Sequence, residues 1–97
     1  MTQVRFTEPA AQDLEEIYDY IALDNIEAAE RLKDRLKQLW TAASKTPGIG
    51  RKRDQWLPDL RSVREGNYLI LYRPVEVGIE VVRILHGARD IESLFDS

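Results

Sequence analysis

The chain has 97 residues, room for a single domain spanning residues 1–97 and too few for two. Its 43% hydrophobic and 32% charged content is ordinary for a globular protein, and the absence of cysteine rules out a disulfide framework or a thiolate metal site. The formal charge of −3 lacks the basic excess of a dedicated nucleic-acid binder; with no apolar leader and no window of ~18 apolar residues, the chain is expected in the cytoplasm, not in a membrane.

The charge is unevenly spread. Residues 1–40 carry five basic and nine acidic side chains, whereas residues 45–73 carry seven basic and three acidic. The middle of the chain therefore presents a local positive surface, read either as a solvated face or as a partner site.

Val4 and Phe6 alternate with Gln3 and Arg5, the period of a short strand with one buried face. Thr7 is placed to cap a helix and Pro9 sits in its first turn. Ala10, Leu14, Ile17 and Ile21 then recur at spacings of four, three and four, which predicts an amphipathic helix from Glu8 to Leu23. Asp13, Glu15, Glu16 and Asp19 are assigned to its outer, acidic face.

Asn25 is a good cap for a second helix, whose stripe is Ala29, Leu32, Leu36, Leu39 and Ala43. Thr46-Pro47-Gly48 ends it. So short a link makes the two helices an antiparallel hairpin. Residues 48–58 read as irregular and hold Arg51, Lys52, Arg53 and Trp56.

The period then changes to that of strands. Leu60 to Arg64 is one, and Glu65-Gly66-Asn67 signals a hairpin turn. Tyr68, Ile70 and Tyr72 share one face of the next strand, with Leu69, Leu71 and Arg73 on the other. Pro74 to Gly78 turns the chain again, and Ile79 to His86 is apolar and β-branched enough for a central strand. Asp90 is placed to cap a final helical turn holding Leu94 and Phe95. Trp40, Tyr68 and Tyr72 read as core. The expected fold is α+β: an N-terminal strand, a helical hairpin packed on a twisted antiparallel sheet, and a short C-terminal helical turn. The sheet face away from the helices is expected to meet solvent or a partner.

Two longer stretches carry a family resemblance: Leu60-Arg61-Ser62-Val63-Arg64-Glu65-Gly66-Asn67-Tyr68-Leu69-Ile70-Leu71-Tyr72-Arg73, and Ile79-Glu80-Val81-Val82-Arg83-Ile84-Leu85-His86-Gly87-Ala88-Arg89-Asp90. With Ala11-x-x-Leu14-x-x-Ile17-Tyr18-x-Tyr20-Ile21 and Pro47-x-x-Gly50-Arg51 upstream, their order and spacing resemble the RelE/ParE toxin superfamily, and its ParE-like branch in particular. The resemblance implies the toxin component of a type II toxin–antitoxin system, neutralised by a cognate, ParD-like antitoxin in a hetero-oligomer.

That superfamily has two modes of action. ParE-like members are expected to bind DNA gyrase and trap it on broken DNA, meeting nucleic acid only through that target. RelE-like members resemble ribosome-dependent messenger-RNA endoribonucleases. Strand scission needs a base, cations for the phosphate and an acid for the leaving oxygen. Where the ribonuclease branch has a strand arginine this chain has Leu69, where it has a C-terminal tyrosine this chain has Phe95, and its lysine positions fall near Leu60 and Ser62. Arg89 matches, and His86 matches a histidine of some ribonuclease members. The resemblance therefore favours a gyrase-binding poison over an enzyme, with His86 and Arg89 as the catalytic pair of the alternative.

Target- or partner-binding candidates are Arg51, Arg53, Trp56, Arg61, Arg64, Arg83 and Arg89. Arg61 and Arg83 are assigned to the sheet face opposite the core. Each has a structural reading beside the functional one: Arg89 pairs with Asp90 or a helix carboxylate, Trp56 caps the core, and the His86 ring bonds a backbone group. One histidine and no cysteine leave no expected metal site, and no cofactor is expected.

Overall fold

The computed structural model describes residues 2–87. Strand β1 (Gln3–Phe6) leads into helices α1 (Glu8–Ala22) and α2 (Ile26–Lys45). A single 3₁₀ turn (Pro47–Ile49) follows, then strands β2 (Arg51–Lys52), β3 (Arg61–Glu65), β4 (Tyr68–Val75) and β5 (Gly78–His86). The expected α+β layering is present, with both helices on one face of a five-stranded sheet of order β1-β5-β4-β3-β2.

Both helices start at the predicted caps. The Thr7 hydroxyl accepts from the Ala10 N–H at 3.2 Å and donates to the Val82 carbonyl at 2.7 Å, tying the helix start to β5. The Asn25 side-chain Oδ1 accepts from the Ala28 N–H at 3.0 Å. Each satisfies an amide that the first helical turn leaves without a partner.

The sheet departs from expectation in two respects. It is mixed, because β1 pairs in parallel with β5, Val4 opposite Ile79 and Phe6 opposite Val81. Residue alternation reports which face is buried but carries no strand direction. The segment read as irregular also contains β2, whose two residues pair with Ser62 and Arg61; two residues are too few to show a period. Beyond that, β4 runs on through Pro74, two residues past Tyr72, where β3 no longer covers it and a missing N–H breaks no ladder bond. The turn it was assigned to is only Glu76 and Val77.

The sheet is buried on both faces. Leu32, Leu36, Trp40 and Ala43 of α2 and Ala10 of α1 pack with Ile70, Tyr72, Ile79, Val81 and Ile84. Trp40 meets Phe6 edge-on, ring centroids 4.9 Å apart. On the far face Leu60, Leu69, Leu71 and Leu85 form a second cluster, with Trp56 and Val82 against it. The face expected to be open thus has an apolar floor, partly covered by the loop before β3.

A register shift between Leu71 and Tyr72, which pair with Arg83 and Val81, leaves Val82 as an extra residue in β5. Such a bulge bends a strand and re-aims its side chains. It lies just beyond Phe6, where β1 stops covering the β5 edge.

Candidate functional site

The far face of the sheet holds a recess of about 380 Å³ lined by Arg51, Arg53, Ser62, Arg64, Asn67, Leu69, His86 and Gly87. Its position follows from pairing. Arg51 lies opposite Ser62 and Ser62 opposite Leu71, so all three point away from the helices. The β3–β4 turn, with Gly66 at φ +59°, and Gly87 at φ +78° close one end. Gly87 donates its N–H to the Asn67 carbonyl at 2.8 Å.

Three guanidinium groups face this recess, and among the described residues no carboxylate pairs with any of them. Arg53 is held in place: its Nε donates to the Ser62 hydroxyl at 2.9 Å, and its guanidinium lies 4.6 Å over the Trp56 ring. Burial first, then the neighbouring charge of Arg51, pulls the Arg53 pKa down. This is what crowding two cations against an apolar floor does. Arg64 donates from Nε to the Gly66 carbonyl at 2.8 Å, and Arg51 is exposed.

His86 is exposed on the rim. Its ring meets Tyr68 edge-on at 5.0 Å rather than hydrogen-bonding a backbone group among the described residues. Burial, with a smaller contribution from Tyr20, pushes the Tyr68 phenol up, so it stays protonated on the helix side. Leu69, 8% exposed, is floor.

The structure takes two of the candidate arginines away from this recess. Arg61 lies opposite Tyr72, on the helix side of the sheet, and donates from Nη1 to the Gly50 carbonyl at 2.9 Å. The odd residues of β3 face the helices, contrary to the opposite-face assignment. Arg83 leaves the sheet face at the bulge and turns to α1, where Nε and Nη2 meet the two oxygens of Asp13 at 2.6 and 2.9 Å. Asp13 is correspondingly half-buried and not part of the exposed acidic face, which keeps Glu15, Glu16 and Asp19. The bulge that re-aims Arg83 had no sequence signal.

Trp56 packs on the second cluster beside Arg53. Arg89, Phe95 and the C-terminal turn expected after Asp90 lie outside the described residues. Sequence reading missed Ser62, which appears there as a lost lysine position but anchors Arg53, and Asn67, read only as a turn residue. For Ser62 the signal was the pairing register, which places it on the same face as Arg51.

No group of three or more potential metal ligands is found among the described residues, and no described helix is long and apolar enough to cross a membrane. The recess, with cations above and leucine below, is built to hold an anion.

Comparison with known proteins gives concordant findings. The family model described as the ParE toxin of the type II toxin–antitoxin system parDE matches residues 4–91. Among solved structures, a chain of the chromosomal ParDE system from P. aeruginosa superposes with a TM-score of 0.71 at 23% identity, over 90% of this chain and 97% of that one. A chain of the toxin–antitoxin complex RelBE2 from Mycobacterium tuberculosis gives 0.58 at 26% identity, over 88% of this chain and 96% of that one. No curated protein sequence matches.

Proposed function

This chain belongs to the ParE toxin family of type II toxin–antitoxin systems, and from that premise we propose that it poisons DNA gyrase by binding it, without chemistry of its own. The observation that carries this reading is the buried leucine at position 69. The resemblance to the ribonuclease branch calls for an arginine there, against the phosphate, and a leucine in the floor of the recess neutralises no charge. Poisoning by docking is a population shift: the toxin must bind the cleaved-DNA state of its target more tightly than the resting state. A cognate antitoxin neutralises it by covering the same surfaces, laying an amphipathic helix between hairpin and sheet and adding a strand at the exposed β2 edge.

A supercoiling assay with purified gyrase tests the reading. Inhibition with accumulation of cleaved DNA is the expected result; full supercoiling at saturating toxin would end it.

One observation favours a second reading, a ribosome-dependent endoribonuclease. His86 is among the residues that line the recess of Arg51, Arg53 and Arg64, with its ring against Tyr68. That reading predicts cuts in messenger RNA on translating ribosomes that vanish in His86→Ala. The gyrase reading predicts that His86→Ala poisons like the wild type.

A further inference from the structure

We propose that a second recess, at the end of the sheet where β3 begins, binds a free α-amino acid, with Lys52 and Arg61 taking its carboxylate and Asp54 and Asp59 its ammonium group. This goes beyond the gyrase reading and uses none of the residues that line the arginine recess.

Pairing register places the site. Arg61 opens β3 opposite Tyr72, and Lys52 lies opposite Arg61, so the two cations are neighbours on the face of the sheet that Arg51, Ser62 and Leu71 turn away from. Strand β4 runs on past Arg61 to Pro74, and the loop between β2 and β3 contributes Asp54, Asp59 and Leu60. Together with the two cations these residues line a recess of about 340 Å³.

The first ground is that opposite charges share this recess without pairing. Ion pairs among the described residues join Arg35 to Glu65, Arg73 to Glu80 and Arg83 to Asp13, and none of Lys52, Arg61, Asp54 or Asp59 takes part in one. The fold tethers three of them separately. Arg61 donates from Nη1 to the Gly50 carbonyl at 2.9 Å and to the Gly48 carbonyl at 3.4 Å. Asp54 accepts the Asp59 N–H on Oδ1 at 3.1 Å. Asp59 itself stands at φ +65°, the one positive φ of a non-glycine residue among those described, in a region that aspartate enters more readily than most side chains. The Arg53 N–H closes the base of this loop on the Leu60 carbonyl at 2.8 Å. Each tether leaves donors and acceptors over: among the described residues Arg61 Nε and Nη2, Asp54 Oδ2, the Lys52 ammonium and the Asp59 carboxylate have no hydrogen-bond partner.

The second ground is the balance of charge. A simple anion in this recess meets two carboxylates, and a simple cation meets two cations. A ligand of no net charge that carries both signs satisfies all four groups. An α-amino acid holds its ammonium and carboxylate on a single carbon. Its planar carboxylate matches the guanidinium fork, and its ammonium brings three donors to the two aspartates. The volume lies at the small end of ligand pockets, enough for an amino acid, and Pro74 supplies an apolar wall for its side chain.

The test is a titration of the ¹⁵N-labelled full-length chain with L-leucine, followed by amide chemical shifts. Saturable shifts confined to residues 52–61 and their strand neighbours are expected, with a Kd of about 1–10 mM. N-acetyl-leucine lacks the ammonium and leucine methyl ester lacks the carboxylate, so each should bind at least about fivefold more weakly. Asp54→Asn keeps an acceptor for the Asp59 amide, and Asp59→Asn keeps a residue suited to positive φ, so both variants should fold, as the spread of amide shifts will report. Each should weaken leucine at least about threefold, as should Lys52→Gln, and the double aspartate variant at least about tenfold. Asp34→Asn removes a carboxylate on α2 and should change nothing. The proposal is overturned by an absence of saturable shifts up to about 50 mM leucine, by shifts centred elsewhere, by either blocked leucine binding as tightly as the free one, or by folded recess variants that bind like Asp34→Asn.

Discussion

Asp13 on α1 and Arg83 on β5 are seventy residues apart in sequence and share a two-pronged ion pair, with N–O distances of 2.6 and 2.9 Å. The same carboxylate accepts the Ile84 N–H at 3.0 Å. Among the described residues no strand covers this edge of β5 beyond Phe6, and Asp13 does there what another strand would do: it satisfies an edge amide. The Asp13 hydrogen bond is also the main reason the Arg83 pKa is raised.

Removing one partner leaves the other half-buried and unpaired, since the side chains are 24% and 12% exposed. Asp13→Ala is therefore expected to destabilise the fold by about 2–4 kcal/mol, read from urea denaturation. Asp13→Asn keeps an acceptor for Ile84 and should lose less. In a double-mutant cycle with Arg83→Ala the coupling should be about 1–3 kcal/mol; additive single effects would show that the pair contributes nothing.

The other two ion pairs among the described residues should behave differently. Arg35 and Arg73 are about half exposed in their pairs with Glu65 and Glu80. Water and salt screen such contacts, so either arginine to alanine should change stability by no more than about 1 kcal/mol. A larger loss in the same urea titration would contradict this assignment.

Tyr72 is fully buried, with its hydroxyl accepting from the Gly50 N–H at 2.9 Å and donating to the Pro47 carbonyl at 2.8 Å. It pins the 3₁₀ turn, and the chain entering β2, to the centre of the sheet. Tyr72→Phe strands a buried donor and should cost about 1–3 kcal/mol at neutral pH.

The same residue predicts an alkaline limit. Burial raises the Tyr72 phenol above its ordinary value of 10.0, partly offset by the Gly50 hydrogen bond and Arg61. The unfolded chain thus loses this proton before the folded one does. The protonated phenol's contribution is complete below pH 10 and is lost as pH rises through 10 and beyond. Urea midpoints between about pH 8 and 11 should fall more steeply in the wild type than in Tyr72→Phe. Tyr68, raised by the same cause, should account for part of the fall left in the variant. Parallel pH profiles would refute the assignment to Tyr72.

Gly78 begins β5 at φ +151°, directly opposite Gln3. A Cβ there would collide with the Gln3 backbone, which is not free to yield because its N–H donates to the Val77 carbonyl at 2.7 Å. Gly78→Ala should displace β1, and with it the Phe6–Trp40 contact, at a loss of about 2–4 kcal/mol. Hydrogen exchange at the β1 amides should rise. Gly48→Ala meets nothing within 4 Å and serves as the control, expected within about 0.5 kcal/mol.

Periodicity and caps were enough for both helices and for β1, β3, β4 and β5. The leucine stripe of α2, the Thr7 and Asn25 caps and the alternation of Tyr68, Ile70 and Tyr72 are local signals, because side-chain direction along one helix or strand depends only on neighbours in the chain. With the resemblance, they also pointed to the toxin family. What the sequence left open was decided by register between distant segments: the parallel pairing of β1 with β5, the two residues of β2, and the bulge at Val82 that turns Arg83 from the sheet face to Asp13. One residue of slip exchanges the two faces of a strand, so whether an arginine is a free cation or a structural clamp cannot be read from its own neighbours. Folding therefore selected Arg51, Arg53 and Arg64 for the recess and withdrew Arg61 and Arg83 from it.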